Sequence, residues 1–134
     1  MGEYPAYRTI LLQRDRDIAR LTFNRPDRRN ALTHEMMEEI ADALHRVRDD
    51  PDVRALILRG AGGCFCAGGD IGAMRDLPPP PRPGDPDPLV APYRAFGDTL
   101  SELNRLPKPV VSIVEGPAAG GGFGMACCSD VVIV

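Results

Sequence analysis

Twice in this 134-residue chain, a run of apolar residues ends in clustered glycines and passes into a short helical pattern. Val53–Leu58 leads into Gly60-Ala-Gly-Gly-Cys-Phe-Cys-Ala-Gly-Gly-Asp70, and Ile71–Asp76 follows as a short helix. Pro109–Val114 leads into Gly116-Pro-Ala-Ala-Gly-Gly-Gly122, followed by a short apolar helix through Cys128. Strands so continuously apolar are expected in a parallel sheet, buried on both faces. Glycines at their ends permit positive φ and close approach of a ligand to the backbone. The N–H groups of such a turn point outward, and the helix behind it adds the positive end of its dipole. One turn of this kind can hold an anion, usually a phosphate. Two facing turns can hold one developing oxyanion from both sides, as acyl-group chemistry requires. Each turn by itself also serves as a plain tight connection between strand and helix.

The remaining segments fit an α/β chain. Arg8–Gln13 and Ile18–Phe23 read as a hairpin turning at Arg14–Asp17, with Ala19, Leu21 and Phe23 on one face. Thr33 is a good N-cap for the helix that follows, and Glu35, Glu38 and Glu39 place negative charge at its start. Met37, Ile40, Ala41, Leu44 and Val47 form its apolar stripe, and Asp50-Pro51 ends it. Leu77–Pro92 is proline-rich and aperiodic, an extended surface insertion rather than a second core. Helical spacing resumes over Tyr93–Leu106, with Phe96, Leu100 and Leu103 on one side, and Asp130–Val134 begins a strand.

Composition removes several classes. At 43% hydrophobic and 26% charged residues the chain is globular and of one-domain size. Its net charge of −3, from 16 basic and 19 acidic residues, provides no field for nucleic acid or anionic lipid. No apolar run reaches membrane-spanning length. Met1–Arg16 lacks the apolar core of a signal peptide, so the cytoplasm is the expected compartment. Cys64-Phe-Cys66 and Cys127-Cys128 have neither zinc-site spacing nor a nearby histidine, since His34 and His45 lie in the first helix. They read as thiols in a reducing compartment, with no metal. There is no P-loop, no dinucleotide fingerprint and no Gly-x-Ser-x-Gly elbow, and Ser112 and Ser129 have no histidine nearby in sequence.

In their order along the chain, the segments resemble the enoyl-CoA hydratase/isomerase (crotonase) superfamily. The matching stretches are Leu21-Thr-Phe-Asn-Arg-Pro-Asp-Arg-Arg-Asn-Ala-Leu32, Val53–Gly60 with Cys64-Phe-Cys-Ala-Gly-Gly-Asp-Ile71, and Lys108–Gly116 through Gly120-Gly-Gly122 and Cys128-Ser-Asp130. Only the proline-rich insertion falls outside the resemblance. It implies a spiral of β-β-α turns, incomplete over residues 1–134, and a homotrimer or hexamer. It also implies that the N–H groups of Gly69 and Gly121 form an oxyanion hole for a thioester carbonyl. Ala31, Ala67, Gly68, Asp70, Ile71 and Gly120 would then line the acyl-CoA path. Arg28 and Arg29 would stand near the CoA phosphates, although exposed arginines also suit a solvated basic turn. Coenzyme A would belong to the substrate, and no separate cofactor is implied.

One departure from the family pattern bears on the chemistry. Family hydratases commonly carry a glutamate two residues after the third glycine of the second turn, where this chain has Gly124. The partner glutamate of relatives would fall past Val134. Glu115 precedes the turn and does not match either place, while Asp130 matches a structural position. Glycine at this place also resembles a branch acting on isoprenoid glutaconyl-CoA esters. The leading expectation is an enoyl-CoA hydratase. The alternatives are an isomerase, a non-catalytic acyl-CoA-binding or oligomerisation module, and a plain α/β interaction domain. The last apolar strand, if unpaired, invites either a continuation of the chain or tight oligomerisation.

Overall fold

The N-terminal hairpin pairs β1 (Ile10–Asp15) with β2 (Ile18–Phe23) in an antiparallel ladder running from Ile10↔Phe23 to Asp15↔Ile18. The computed structural model describes residues 4–134; of the N-terminal stretch read above for a leader, residues 1–3 lie outside the described residues. The turn is tighter than expected. Arg16 adopts φ 56°, which closes the hairpin over two residues and keeps Arg14 and Asp15 in the ladder. Arg8 and Thr9 drop out of the strand because Glu39 takes their N–H groups, at 2.7 and 2.8 Å.

The remaining strands add in parallel. β3 (Ala55–Gly60) pairs with β2, β4 (Val110–Ile113) with β3, and β5 (Val131–Ile133) with β4, giving the order β1-β2-β3-β4-β5. The register aligns Leu12, Leu21, Leu58 and Ser112 in one row across the sheet. Ala19, Leu56 and Val110 form the next row. All are buried, and the apolar ones pack with Met36, Ile40, Leu44 and Val47 of α1 (His34–Asp49) in one core. Each large apolar side chain in it contributes about 2 kcal/mol of burial. The expectation of strands buried on both faces needs correction: in β3, Leu56 and Leu58 are buried while Ala55, Ile57 and Arg59 are half-buried. The core covers only one face, so the strands alternate.

Thr33 caps α1 through its hydroxyl, which accepts from Met36 N–H at 3.2 Å. The buried stripe is Met36, Ile40, Ala43, Leu44 and Val47, rotated from the expected one, with Met37 and Ala41 at its margin. At the other end, Lys108 Nζ donates to the carbonyls of Val47 and Asp50. After the short α2 (Ile71–Arg75), residues 76–88 are exposed and form neither helix nor strand. The long helix α3 (Val90–Asn104) then starts a turn earlier than the spacing predicts. Pro92 is tolerated there because first-turn N–H groups have no helical acceptor. Last comes α4 (Gly121–Cys127), tied to the sheet by a 2.6 Å hydrogen bond between Ser112 and Ser129. At the edge, Val131, Val132 and Ile133 of β5 are 51%, 44% and 53% exposed.

Candidate functional site

Beyond the ends of β2, β3 and β4 the chain forms a second, smaller parallel ladder of three segments. Ala67 N–H donates to Arg29 O at 3.0 Å, Leu32 N–H to Gly68 O at 2.7 Å, and Asp70 N–H to Leu32 O at 2.9 Å. On the other side, Cys66 N–H donates to Pro117 O at 3.1 Å and Ala119 N–H to Cys66 O at 3.0 Å. The two glycine turns are therefore not merely similar but adjacent. Arg29, Ala31, Ala67, Gly68, Gly69, Asp70, Gly120 and Gly121 come together here. Arg28 lies exposed on the 3-10 turn Pro26–Arg28, and Ile71 is 71% exposed.

Phe65 anchors the first turn. It is fully buried and meets Phe23 edge-on, with ring centroids 5.2 Å apart and planes at 71°, worth about 1 kcal/mol beyond its burial. Gly68 requires glycine on two counts: its φ is +96°, and a Cβ there would stand 3.0 Å from Ala119 O. A Cβ on Gly122 would lie 2.5 Å from Cys66 Cβ and 2.6 Å from Cys66 O. The turns meet at these two glycines with no room for a methyl group.

At this junction the N–H groups of Gly69 and Gly121 have no backbone acceptor among the described residues. The ladder uses the N–H groups of Ala67 and Asp70 and the carbonyl of Gly68, and leaves out the N–H of exposed Gly69. Gly121 opens α4, whose turns close from Gly122 (to Ala119 O, 2.9 Å) and Gly124 (to Gly120 O, 3.0 Å). Its own N–H belongs to the unpaired set at a helix start. Apolar side chains flank both donors. Met74 Sδ is 3.6 Å from where a Gly69 Cβ would be, and Leu32 Cδ1 and Phe96 Cζ are each 2.8 Å from the corresponding point on Gly121. A pair of donors in an apolar frame suits a polarised carbonyl oxygen better than a fully charged phosphate.

Asp70 and Arg25 are committed to structure. Asp70 caps α2 through Oδ1, which accepts from Ala73 N–H at 3.1 Å, and its Oδ2 pairs with Arg25 Nη2 at 3.1 Å. The Ala73 N–H and the Arg25 guanidinium hold its carboxyl below the usual carboxylate range. Asn30, fully buried at φ 54°, accepts from Arg25 N–H at 2.8 Å. Its Nδ2 donates to Ala61 O and Cys64 O at 3.0 and 2.7 Å. Neither Arg25 nor Asn30 stands out from spacing alone; the signal available was an amide beside the Arg-Pro turn, a residue type that tolerates positive φ. Glu115 is exposed and pairs with Arg59 at 3.5 Å. Gly124, half-buried in α4, faces Leu100 Cδ1, 3.6 Å from its would-be Cβ.

All four thiols are free; Cys64 and Cys66 are buried, and burial pushes the Cys66 thiol up. No cluster of three His, Cys, Asp or Glu residues suited to a metal ion occurs among the described residues. No helix among them is long and apolar enough to cross a membrane. A groove of about 380 Å³ between α1 and α3, lined by His45, Arg48, Ser101 and Glu102 among others, contains none of the glycine-turn residues.

A mixed sheet, parallel from β2 to β5 and carrying a second ladder of glycine turns, defines the chain as an α/β protein of the crotonase fold. Residues 13–134 match the enoyl-CoA hydratase/isomerase family, and the chain belongs to it. Enoyl-CoA hydratase EchA19 of Mycobacterium tuberculosis is 46% identical over 113 residues, covering 83% of this chain and 40% of that protein. The 1,2-epoxyphenylacetyl-CoA isomerase of Escherichia coli is 38% identical over 124 residues, 92% of this chain and 46% of that one. Among solved structures, Pseudomonas aeruginosa AtuE superposes with a TM-score of 0.84 at 46% identity, over 93% of this chain and 47% of its own. The chain thus spans about half the length of the relatives it matches.

Proposed function

We propose that this chain holds the carbonyl oxygen of an acyl-CoA thioester between the N–H groups of Gly69 and Gly121, within an enzyme that hydrates 2-enoyl-CoA. The observation that carries the reading is the contact between two glycine turns, with the N–H groups of Gly69 in one and Gly121 in the other lacking a backbone acceptor among the described residues. Several relatives bear the name of enoyl-CoA hydratases, which supports the same reaction class. In hydration the water oxygen bonds to the β-carbon while a base takes one of its protons, and the π pair of the double bond moves toward the thioester. Negative charge then collects on the carbonyl oxygen until the α-carbon takes a proton. Two fixed donors oppose that charge without reorganising, each worth about 3 kcal/mol in the transition state. Ala31, Ala67, Gly68, Asp70, Ile71 and Gly120 border the path of the thioester, while Arg28 and Arg29 meet the CoA phosphates. Coenzyme A enters as part of the substrate.

A homotrimer or hexamer belongs to the same proposal and is read by light scattering. The free thiols suit the reducing cytoplasm. A second reading is an isomerase, supported by Gly124 in place of a carboxylate and by the relative named as an isomerase. Shifting a proton between carbons needs one acid/base group, whereas hydration needs both a base for water and an acid for carbon. Calorimetry with an enoyl-CoA, run beside hydration and double-bond-shift assays, separates the readings. Binding with formation of the 3-hydroxyacyl-CoA supports hydration. A moved double bond without water uptake supports isomerisation. Binding with no turnover identifies a thioester-binding module, and no binding overturns the proposal.

A further inference from the structure

We propose that Arg25 is the positioning residue for both N–H donors, locking the Gly69 turn and the segment packed on Gly121 into one register. The inference rests on the proposed use of those donors. Arg25 Nη2 meets Asp70 Oδ2 at 3.1 Å, and its Nη1 donates to the Ala31 carbonyl. Both charged side chains are largely withdrawn from water, 20% and 16% exposed. Asp70 follows Gly69 directly and is itself tied to Leu32 O through its N–H at 2.9 Å. Ala31 precedes Leu32, whose Cδ1 lies against Gly121. A single guanidinium therefore reaches the neighbour of one donor and the neighbour of the side chain supporting the other.

The backbone that carries this side chain is in turn fixed, because the main-chain N–H of Arg25 donates to the buried Asn30 Oδ1 at 2.8 Å. A planar fork with separate N–H groups can satisfy a carboxylate and a carbonyl at once, while a lysine ammonium on a flexible stem holds the pair poorly. Loss of the fork leaves the two glycine turns joined through Cys66 but frees the Ala31–Leu32 segment to tilt against the Gly69 turn. Small displacements of that kind weaken transition-state contacts far more than they weaken binding of the remote CoA part.

The test uses the whole natural protein and an aryl-conjugated enoyl-CoA, whose absorption band moves to longer wavelength when its carbonyl is polarised. Arg25→Met is expected to lose most of that red shift while its affinity for free coenzyme A stays unchanged, and Arg25→Lys is expected to recover part of it. A purely structural arginine would lower the melting temperature and leave the shift of the folded variant intact; that result overturns the inference. If Arg25→Met does not fold, Asp70→Asn reads the same contact, because its Oδ1 can still cap α2 while the charge facing Arg25 is gone. A full shift in Asp70→Asn likewise overturns it. No shift in the unaltered protein overturns both this inference and the proposed function, whereas a shift equal in all variants overturns this inference alone.

Discussion

Gly122 and Gly124 sit two residues apart in α4, and the same substitution should act on them in opposite directions. A methyl group on Gly122 would meet Cys66 Cβ at 2.5 Å, its carbonyl oxygen at 2.6 Å and its Sγ at 2.7 Å. The carbonyl cannot yield freely, since it accepts Ala119 N–H in the small ladder. Overpacking against backbone of this kind costs about 3 kcal/mol. At Gly124 the nearest atom to a new methyl is Leu100 Cδ1 at 3.6 Å, an ordinary contact. There the helix gains the difference between alanine and glycine, about 0.8 kcal/mol. Urea unfolding of Gly122→Ala and Gly124→Ala should therefore bracket the unaltered protein, with midpoints below and above it. Gly63→Ala serves as a control for backbone strain, because φ is +72° there and nothing lies within 4 Å of the new methyl; it should lose about 1 kcal/mol. Equal stabilities for Gly122→Ala and Gly124→Ala would refute the claim that the turns are pressed together at Cys66.

Asp70 should impose an acid limb on stability. Its pKa is lowered in the folded state, so its contribution is present above the unfolded carboxylate value and is lost as pH falls through the folded one. The stability gap between the unaltered protein and Asp70→Asn should accordingly narrow as the pH falls below about 4, as followed by denaturant titrations; a gap independent of pH counts against the Arg25–Asp70 pair. Tyr4 titrates in the opposite sense. Burial and its 2.8 Å hydrogen bond to Asp50 push its phenol up to about 12, so its contribution persists below about pH 10 and disappears toward pH 12. Tyr4→Phe should flatten that alkaline limb in pH-dependent melting. Lys108→Met removes the donor to the Val47 and Asp50 carbonyls at the end of α1 and should destabilise by about 1–2 kcal/mol in thermal unfolding.

Much of this arrangement is legible without coordinates, because period and punctuation carry it. Thr33 before an acidic first turn predicts the start of α1, and the apolar runs into Gly60 and Gly116 predict β3 and β4 as strands feeding glycine turns. What sequence spacing does not carry is which neighbours share a surface. The stripe of α1 is rotated toward Met36 and Ala43 by packing against the sheet, a tertiary effect that heptad counting misses. The proline-rich segment hides the first turn of α3, since Pro92 reads as a breaker although an early helical position accepts it. At the site, glycine clustering identifies both turns, while the polar framework of Arg25, Asn30 and Asp70 emerges only when residues up to 45 positions apart are brought together.

The central claim, that the N–H groups of Gly69 and Gly121 polarise a thioester carbonyl, is tested most directly by isotope-edited infrared spectroscopy of a bound acyl-CoA carrying carbon-13 at its carbonyl. The prediction is a carbonyl stretch below its frequency in water for the unaltered protein, moving back toward the water value in Gly69→Pro, which lacks the N–H. A bound carbonyl that vibrates as it does in water, or one that Gly69→Pro leaves displaced, would contradict it.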